Sequence, residues 1–201
     1  MTWPTATLVA MACLGCASAP APAVRVAPAE PVESQVSKYL PLEHDMVYTY
    51  ATRVEPGGDQ GLLMLRVSRP RPGRVDISVG GRTQRLISDG GGVRHTTGEW
   101  LLKQPVQAGQ RYPGKSGEIR VESVGKSVRC EDKAYEDCVR TVETSPDTAQ
   151  TVTTEFCAHV GMVHLLVEMD DSRGYRREEA WLKQFAPYVT IDASDEFAVG
   201  H

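Results

Sequence analysis

The sequence predicts an all-β domain, an antiparallel meander forming a strongly curved sheet or barrel. Three observations carry this. Short segments rich in β-branched and aromatic residues, many alternating apolar with polar, recur between residues 46 and 185: "MVYTYATRV", "GLLMLRVSR", "GRVDISVGG", "GEIRVESV", "CVRTVET", "TVTTEFCA", "MVHLLVEM" and "EEAWLKQF" among them. Between them sit Pro-Gly-Gly-Asp, Arg-Pro-Gly, Gly-Gly-Gly and Ser-Pro-Asp, whose backbone preferences suit tight turns. No segment shows a helical apolar period long enough to predict a helix. Closure or strong curvature would bury one face and limit exposed strand edges.

The elements follow in chain order. Residues 1–15 hold the apolar run "TATLVAMACLG", far too short to span a bilayer and followed by small residues, which is the shape of a secretory signal. No Lys or Arg precedes the run. "Leu14-Gly15-Cys16" resembles the lipobox of bacterial lipoproteins, in which the cysteine thiol is diacylated and becomes the new N-terminus. The resemblance makes residues 1–15 a lipoprotein signal peptide and Cys16 the lipidated residue. It departs from the pattern at Cys13, where Leu is usual, and Cys13 is the second candidate acceptor. With Ala17 and Ser18 after the cysteine rather than Asp, the resemblance implies lipid anchoring at the outer membrane, facing the periplasm or the cell surface. A redox role for Cys-x-x-Cys is disfavoured because no βαβ pattern surrounds it.

Residues 16–37 read as a tether. "ASAPAPAVRVAPAEPVESQVS" is rich in Pro and Ala without a periodic apolar face, and such segments behave as semi-rigid extended spacers. Residues 38–192 form the β-rich globular domain, and 193–201 a short, largely acidic flexible tail. Its core is expected from one sheet face that includes Tyr48, Tyr50, Leu63, Leu65, Val139, Phe156, Val163, Leu165 and Trp181.

One hairpin can be set in register from its residues. With Pro146 to Ala149 as the loop, Thr144 faces Thr151, Thr141 faces Thr154, Arg140 faces Glu155, Val139 faces Phe156 and Cys138 faces Cys157. A slip by one residue loses the charge pair, the Val–Phe pair and both Thr pairs. Facing residues of an antiparallel pair lie within disulfide reach, so an oxidising compartment favours a Cys138–Cys157 bridge. Cys130 competes, since Cys130–Cys138 would close the smaller "CEDKAYEDC" loop.

Composition narrows function more than it defines it. With 201 residues, 41% hydrophobic and 24% charged, the chain suits one ordinary core. A net charge of −4 gives no general attraction to nucleic acid, and no nucleic-acid partner is expected. The stretch from Gly61 to Lys103 is locally basic, with Arg66, Arg69, Arg71, Arg74, Arg82, Arg85, Arg94 and Lys103 against Asp76, Asp89 and Glu99. Alternating Arg of this kind usually marks the solvated side of a sheet.

Catalytic signals are absent. Neither Gly-x-Ser-x-Gly nor a phosphate-cradling Gly-x-x-x-x-Gly-Lys occurs, and Gly90–Gly92 reads as a loop. His159 and His164, five apart, point to opposite faces of a strand and so share no metal. Asp170, Asp171, Glu178 and Glu179 cluster in sequence but read as a charged hairpin turn. The expectation is a non-enzyme with no cofactor and no metal.

Three stretches together, "YLPLEHDMVYTY", "LLKQPVQAGQRY" and "AYEDCVRTV" with "FCAHVGMVHLLV", resemble an uncharacterised family of bacterial envelope lipoproteins. The resemblance covers most of residues 39 to 167 and rests on turn and core residues. Ala158-His159 stands where the family has Pro-Gly, and Tyr112 where it has Trp. It implies fold and compartment, with no chemistry attached. The leading expectation is a lipid-anchored envelope protein that acts as a non-catalytic scaffold or interaction module toward another envelope protein. The alternative is a carrier holding a lipid or other apolar ligand in a barrel or half-barrel cavity, lined by residues such as Leu63, Leu65, Val79, Leu86 and Trp181. A packed interior favours the first and a continuous apolar cavity of several hundred Å3 the second. For the anchor, Cys16→Ser should release the protein from salt-washed membranes; persistence in the membrane fraction, with no acyl mass on the native protein, would contradict lipidation.

Overall fold

The computed structural model describes residues 34–189 except 132 and 173, and Cys13, Cys16, the rest of the expected signal, most of the expected tether and the tail lie outside them. A short helix, α1 (Gln35–Tyr39), precedes twelve strands: β1 (Met46–Glu55), β2 (Asp59–Arg71), β3 (Arg74–Val79), β4 (Arg82–Asp89), β5 (Gly92–His95), β6 (Trp100–Lys103), β7 (Arg111–Pro113), β8 (Glu118–Cys130), β9 (Lys133–Ser145), β10 (Gln150–Cys157), β11 (Gly161–Asp171) and β12 (Gly174–Pro187). They form one antiparallel sheet in the order β6-β5-β4-β3-β2-β1-β12-β11-β10-β9-β8-β7. The sheet is thus two six-stranded meanders joined where the first strand pairs with the last. Its two ends, β6 and β7, are consecutive in sequence and touch, so the sheet curls into a nearly closed barrel.

Turn chemistry fixes the meander. Gly80 and Gly81 link β3 to β4 with φ of 52° and 77°, a two-residue hairpin whose left-handed backbone a side chain would strain. The Gly90–Gly92 stretch is the β4–β5 turn. There Gly92 has φ of +134°, and a Cβ on it would stand 2.3 Å from the Leu102 carbonyl oxygen, so β6 can lie close only because the side chain is missing.

The inner face carries the core: Tyr48, Tyr50, Val67, Val75, Leu86, Val121, Val139, Phe156, Val163 and Leu182 are buried. Leu63, Leu65 and Leu165 pack against it half-buried. Trp181 also packs half-buried against the core residues, but from the other face of the sheet. On β12 the inward positions are Ala180 and Leu182, and Trp181 points to the convex face, opposite Ala51 of β1 and His164 of β11. Strand alternation, not side-chain bulk, decides the face.

Val36 and Tyr39, three apart on α1, are 2% and 5% exposed, so α1 packs as part of the fold. Ser34 caps the helix by accepting from the Ser37 N–H at 3.0 Å. Five residues cannot hold a helix unaided; tertiary contacts do so. The Val106 N–H donates to Gln35 Oε1 at 3.0 Å, the His159 N–H to the Lys38 carbonyl at 2.7 Å, and the Tyr39 hydroxyl to Asp137 at 2.8 Å. The helix touches β5 on one meander and β10 and β11 on the other, so it lies across the interior.

The β9–β10 hairpin has the register set out above, Thr144–Thr151 through Cys138–Cys157. Cys138 and Cys157 are joined by a disulfide, with Cα atoms 4.0 Å apart, and Cys130 is a buried free thiol. Cross-linking a loop of this length should contribute about 3 kcal/mol. The paired Cys138→Ser, Cys157→Ser variant should lose about that much in a urea unfolding series, and reductant should destabilise only the parent. Equal stability of both proteins would contradict the assignment.

Candidate functional site

The inner face is not filled. A cavity of about 410 Å3 lies between the two meanders, lined mostly by apolar side chains. Leu40 and Leu42, just after α1, form one part of its wall. Tyr48, Tyr50, Leu65, Ile77 and Val79 from β1 to β3 form another, and Val152, Phe156, Met162, Leu165 and Val167 from β10 and β11 a third. Along β1, β3 and β10 these residues alternate, so the period of two aims them inward, and on β11 the irregularity between the Phe156–Met162 and Glu155–His164 pairs brings Met162 to the same side as Leu165 and Val167. Desolvation raises the Tyr48 phenol to about 12 and raises Tyr50 as well, so both stay neutral; the Tyr50 hydroxyl is satisfied by the Met162 carbonyl at 2.9 Å.

Of the side chains expected to line such a space, Leu65 and Val79 do. Leu63 and Leu86 belong to the surrounding core, Leu86 without exposure, and Trp181 is on the other face.

Polar groups gather at one part of the cavity. Gln84 Nε2 lies 2.9 Å from His95 Nδ1, and Lys115, Ser116 and Glu143 complete the group. His95 is 8% exposed, and burial lowers its pKa, with Lys115 nearby adding to the effect. The neutral ring can therefore accept a hydrogen bond from Gln84.

A second, polar cavity lies on the convex face, lined by Arg53, Cys130, Arg140, Glu155, His164, Glu179 and Trp181 among others. His164 sits between two carboxylates: Nδ1 is 3.2 Å from Glu155 and Nε2 is 2.9 Å from Glu179. Arg140 reaches Glu155 at 3.1 Å and Arg177 reaches Glu179 at 3.2 Å. The hydrogen bond to Glu155 raises the His164 pKa, against the cost of burial, and that to Glu179 adds to it. The imidazolium form donates from both nitrogens.

Cysteine, histidine and glutamate meet in this pocket. Burial pushes the Cys130 thiol to about 11, the nearby glutamates push the same way, and the sulfur contacts the Val163 carbonyl at 3.8 Å. His164 is hydrogen-bonded to a carboxylate at each nitrogen, and these contacts raise its pKa.

The remaining sequence candidates are dispersed. His44 Nδ1 accepts from the Arg69 N–H at 2.9 Å, and His159 occupies a left-handed turn position with φ of 61°. Glu178 and Glu179, neighbours on β12, alternate in direction: Glu178 pairs with Arg176 at 2.6 Å while Glu179 goes to His164. Among the described residues, no group of three or more His, Cys, Asp or Glu side chains is placed so that it could hold a metal ion. The Glu155–His164–Glu179 bridge was not expected from sequence. The three residues lie on separate strands, so seeing the bridge requires the β10–β11–β12 register.

No protein-family model matches the chain, and no curated protein matches it. Among solved structures it is similar to a LolA superfamily protein from Nitrosomonas europaea, over 78% of this chain and 91% of that one, with 10% identity and a TM-score of 0.24. A likeness of that grade carries no argument about ligand or compartment.

The two buried histidines predict opposite pH effects. His164, raised above the 6.5 of a free imidazole, contributes stability that is complete below about pH 6.5 and is lost as pH rises through its folded value. His95, lowered from the same 6.5, opposes folding as pH falls below that value. Urea midpoints between about pH 5 and pH 9 should therefore fall on the alkaline side in the parent, and His164→Gln should remove that fall while leaving the acid-side loss. An unchanged alkaline limb in His164→Gln would contradict the bridge.

Proposed function

We propose that this domain is a non-catalytic carrier that holds an apolar ligand inside its curved sheet. The observation supporting it is the interior itself: about 410 Å3 of space walled by leucine, valine, isoleucine, methionine and aromatic side chains, within the size range of small-molecule sites. A pure scaffold has no use for such a space, and leaving it empty forgoes dispersion contacts that packed cores make. This places the carrier ahead of the scaffold, the reverse of the order drawn from sequence alone. The Cys130 thiol, pushed up by burial, favours binding over catalysis.

The proposed setting is the bacterial envelope, with the protein anchored by lipid on Cys16. The Cys138–Cys157 bond supports an oxidising compartment, and the lipobox-like stretch supports the anchor.

A partner contact is a second reading, favoured by one feature. Strand β3 pairs with β2 only from Leu65 onward, whereas β1 pairs with β2 from Asp59. Among the described residues, β2 from Asp59 to Met64 therefore has one free edge, and Leu62 and Met64 beside it are 74% and 63% exposed. Such an edge suits addition of an extended strand from another envelope protein.

The carrier reading is checked with an environment-sensitive apolar dye. The domain should bind it saturably, and Thr154→Trp, which fills the cavity wall, should weaken binding by about tenfold, a loss of about 1.4 kcal/mol. Thr153→Trp, one residue away on the convex face, should not. Equal binding by all three proteins, or none by the parent, would contradict the reading.

A further inference from the structure

We infer, resting on the carrier reading, that the ligand is an amphiphile with an anionic head, its chain in the cavity and its head held at the rim by Lys115 and Arg82. The inference starts from how the polar atoms are distributed. The charged and amide groups are gathered where Gln84, His95, Glu143 and the Lys115–Ser116 turn meet, and the rest of the wall is apolar apart from Thr141 and Thr154. A second depression shares Ile77, Val79, Gln84, His95 and Lys115 with the cavity and adds Arg82. The apolar interior thus opens into a polar vestibule. Arg82 belongs to it by register: it faces Val79 across β3–β4 and is two residues from Gln84, so it shares their side of the sheet.

The charges of the vestibule decide the sign of the head. Its acids are fewer than its cations, Glu143 and Glu99 against Arg82, Arg85 and Lys115, and both accept hydrogen bonds from within the chain. Glu143 accepts from the Gly117 N–H at 2.9 Å and from the Ser116 N–H, and Glu99 accepts from the Thr97 hydroxyl. Arg85, across from Asp76, also lines the vestibule and adds a third cation to it. Among the described residues neither Arg82 nor Lys115 is within ion-pair distance of a carboxylate, although Lys115 lies near enough to His95 and Glu99 to act on both. These cations beside an apolar opening, with amide and imidazole groups able to bond oxygen, match a carboxylate or phosphate on an aliphatic chain. A neutral ligand would use the apolar wall and leave the cations idle; a cationic one would be repelled.

Three probes of equal chain, myristate, myristyl alcohol and myristyl trimethylammonium, separate these cases by displacement of the dye from the full domain, each below its micelle concentration. Myristate should bind about tenfold more tightly than the alcohol at low salt, and the ammonium most weakly. The preference should shrink as ionic strength rises, since rim charges are screened. The doubly substituted Arg82→Gln, Lys115→Gln protein should lose most of the preference for acid over alcohol, its folding verified by an unchanged melting transition. Should that variant fail to fold, the salt series on the parent still decides. Equal binding of myristate and the alcohol by the parent, or a preference indifferent to salt, overturns the anionic head and leaves the carrier standing. Failure of all three probes overturns both.

Discussion

The pairing of β1 with β12 is the constraint on which the rest of the structure depends. Each meander on its own is a local construction of consecutive hairpins; only this contact joins residues near position 50 to residues near 180 and makes one sheet of the two. It runs the full length of β1, from Met46–Pro187 to Glu55–Arg177, with one irregularity between Thr49 and Tyr50. Because the two far ends of the sheet, β6 and β7, are joined in sequence, fixing β1 against β12 forces the sheet to curl and directs Tyr48, Tyr50, Leu165 and Phe156 toward one interior. Such long-range closure is entropically expensive, and the disulfide and α1 both act on that interior's far wall. The first ties β9 to β10, and the second spans from β5 to β10 and β11.

The cavity follows from that curvature and from what alternation sends inward. Many of the inward side chains are of middling size, Val, Leu, Ile and Thr, set among Tyr48, Tyr50, Trp100 and Phe156, while Trp181 goes to the convex face. A curled sheet lined this way encloses more space than its residues fill. The convex face takes the opposite course. There Glu155, His164 and Glu179 form a bridge across three adjacent strands, with arginines at either end, so charge rather than apolar burial holds the back of β10–β12. One face is free to bind because the other carries charged cross-strand ties.

Much of the fold was legible in the sequence because strands and turns are local signals. The β9–β10 register was readable for a particular reason: five cross-strand pairs, from Thr144–Thr151 to Cys138–Cys157, each favour the same alignment. α1 was not readable, since two apolar residues three apart in five carry no period and the helix exists only through its tertiary contacts. Trp181 was expected on the inner face because of its bulk, while its parity on β12 puts it on the other. The candidate site was legible only in part. Leu65 and Val79 could be proposed as cavity residues, but the roles of Gln84, His95, Lys115 and Glu143 depend on β4, β5, the β7–β8 turn and β9 meeting in space, which no local pattern encodes.

The central claim is that the interior is built to be occupied. Its most direct test is native mass spectrometry of the full chain, expressed with its own N-terminus in a bacterial envelope and purified without denaturation or detergents that resemble the ligand. The account predicts a species heavier than the covalent protein by the mass of one amphiphile, lost on unfolding and absent from the Thr154→Trp protein. A single species at the covalent mass, identical before and after unfolding, would contradict it.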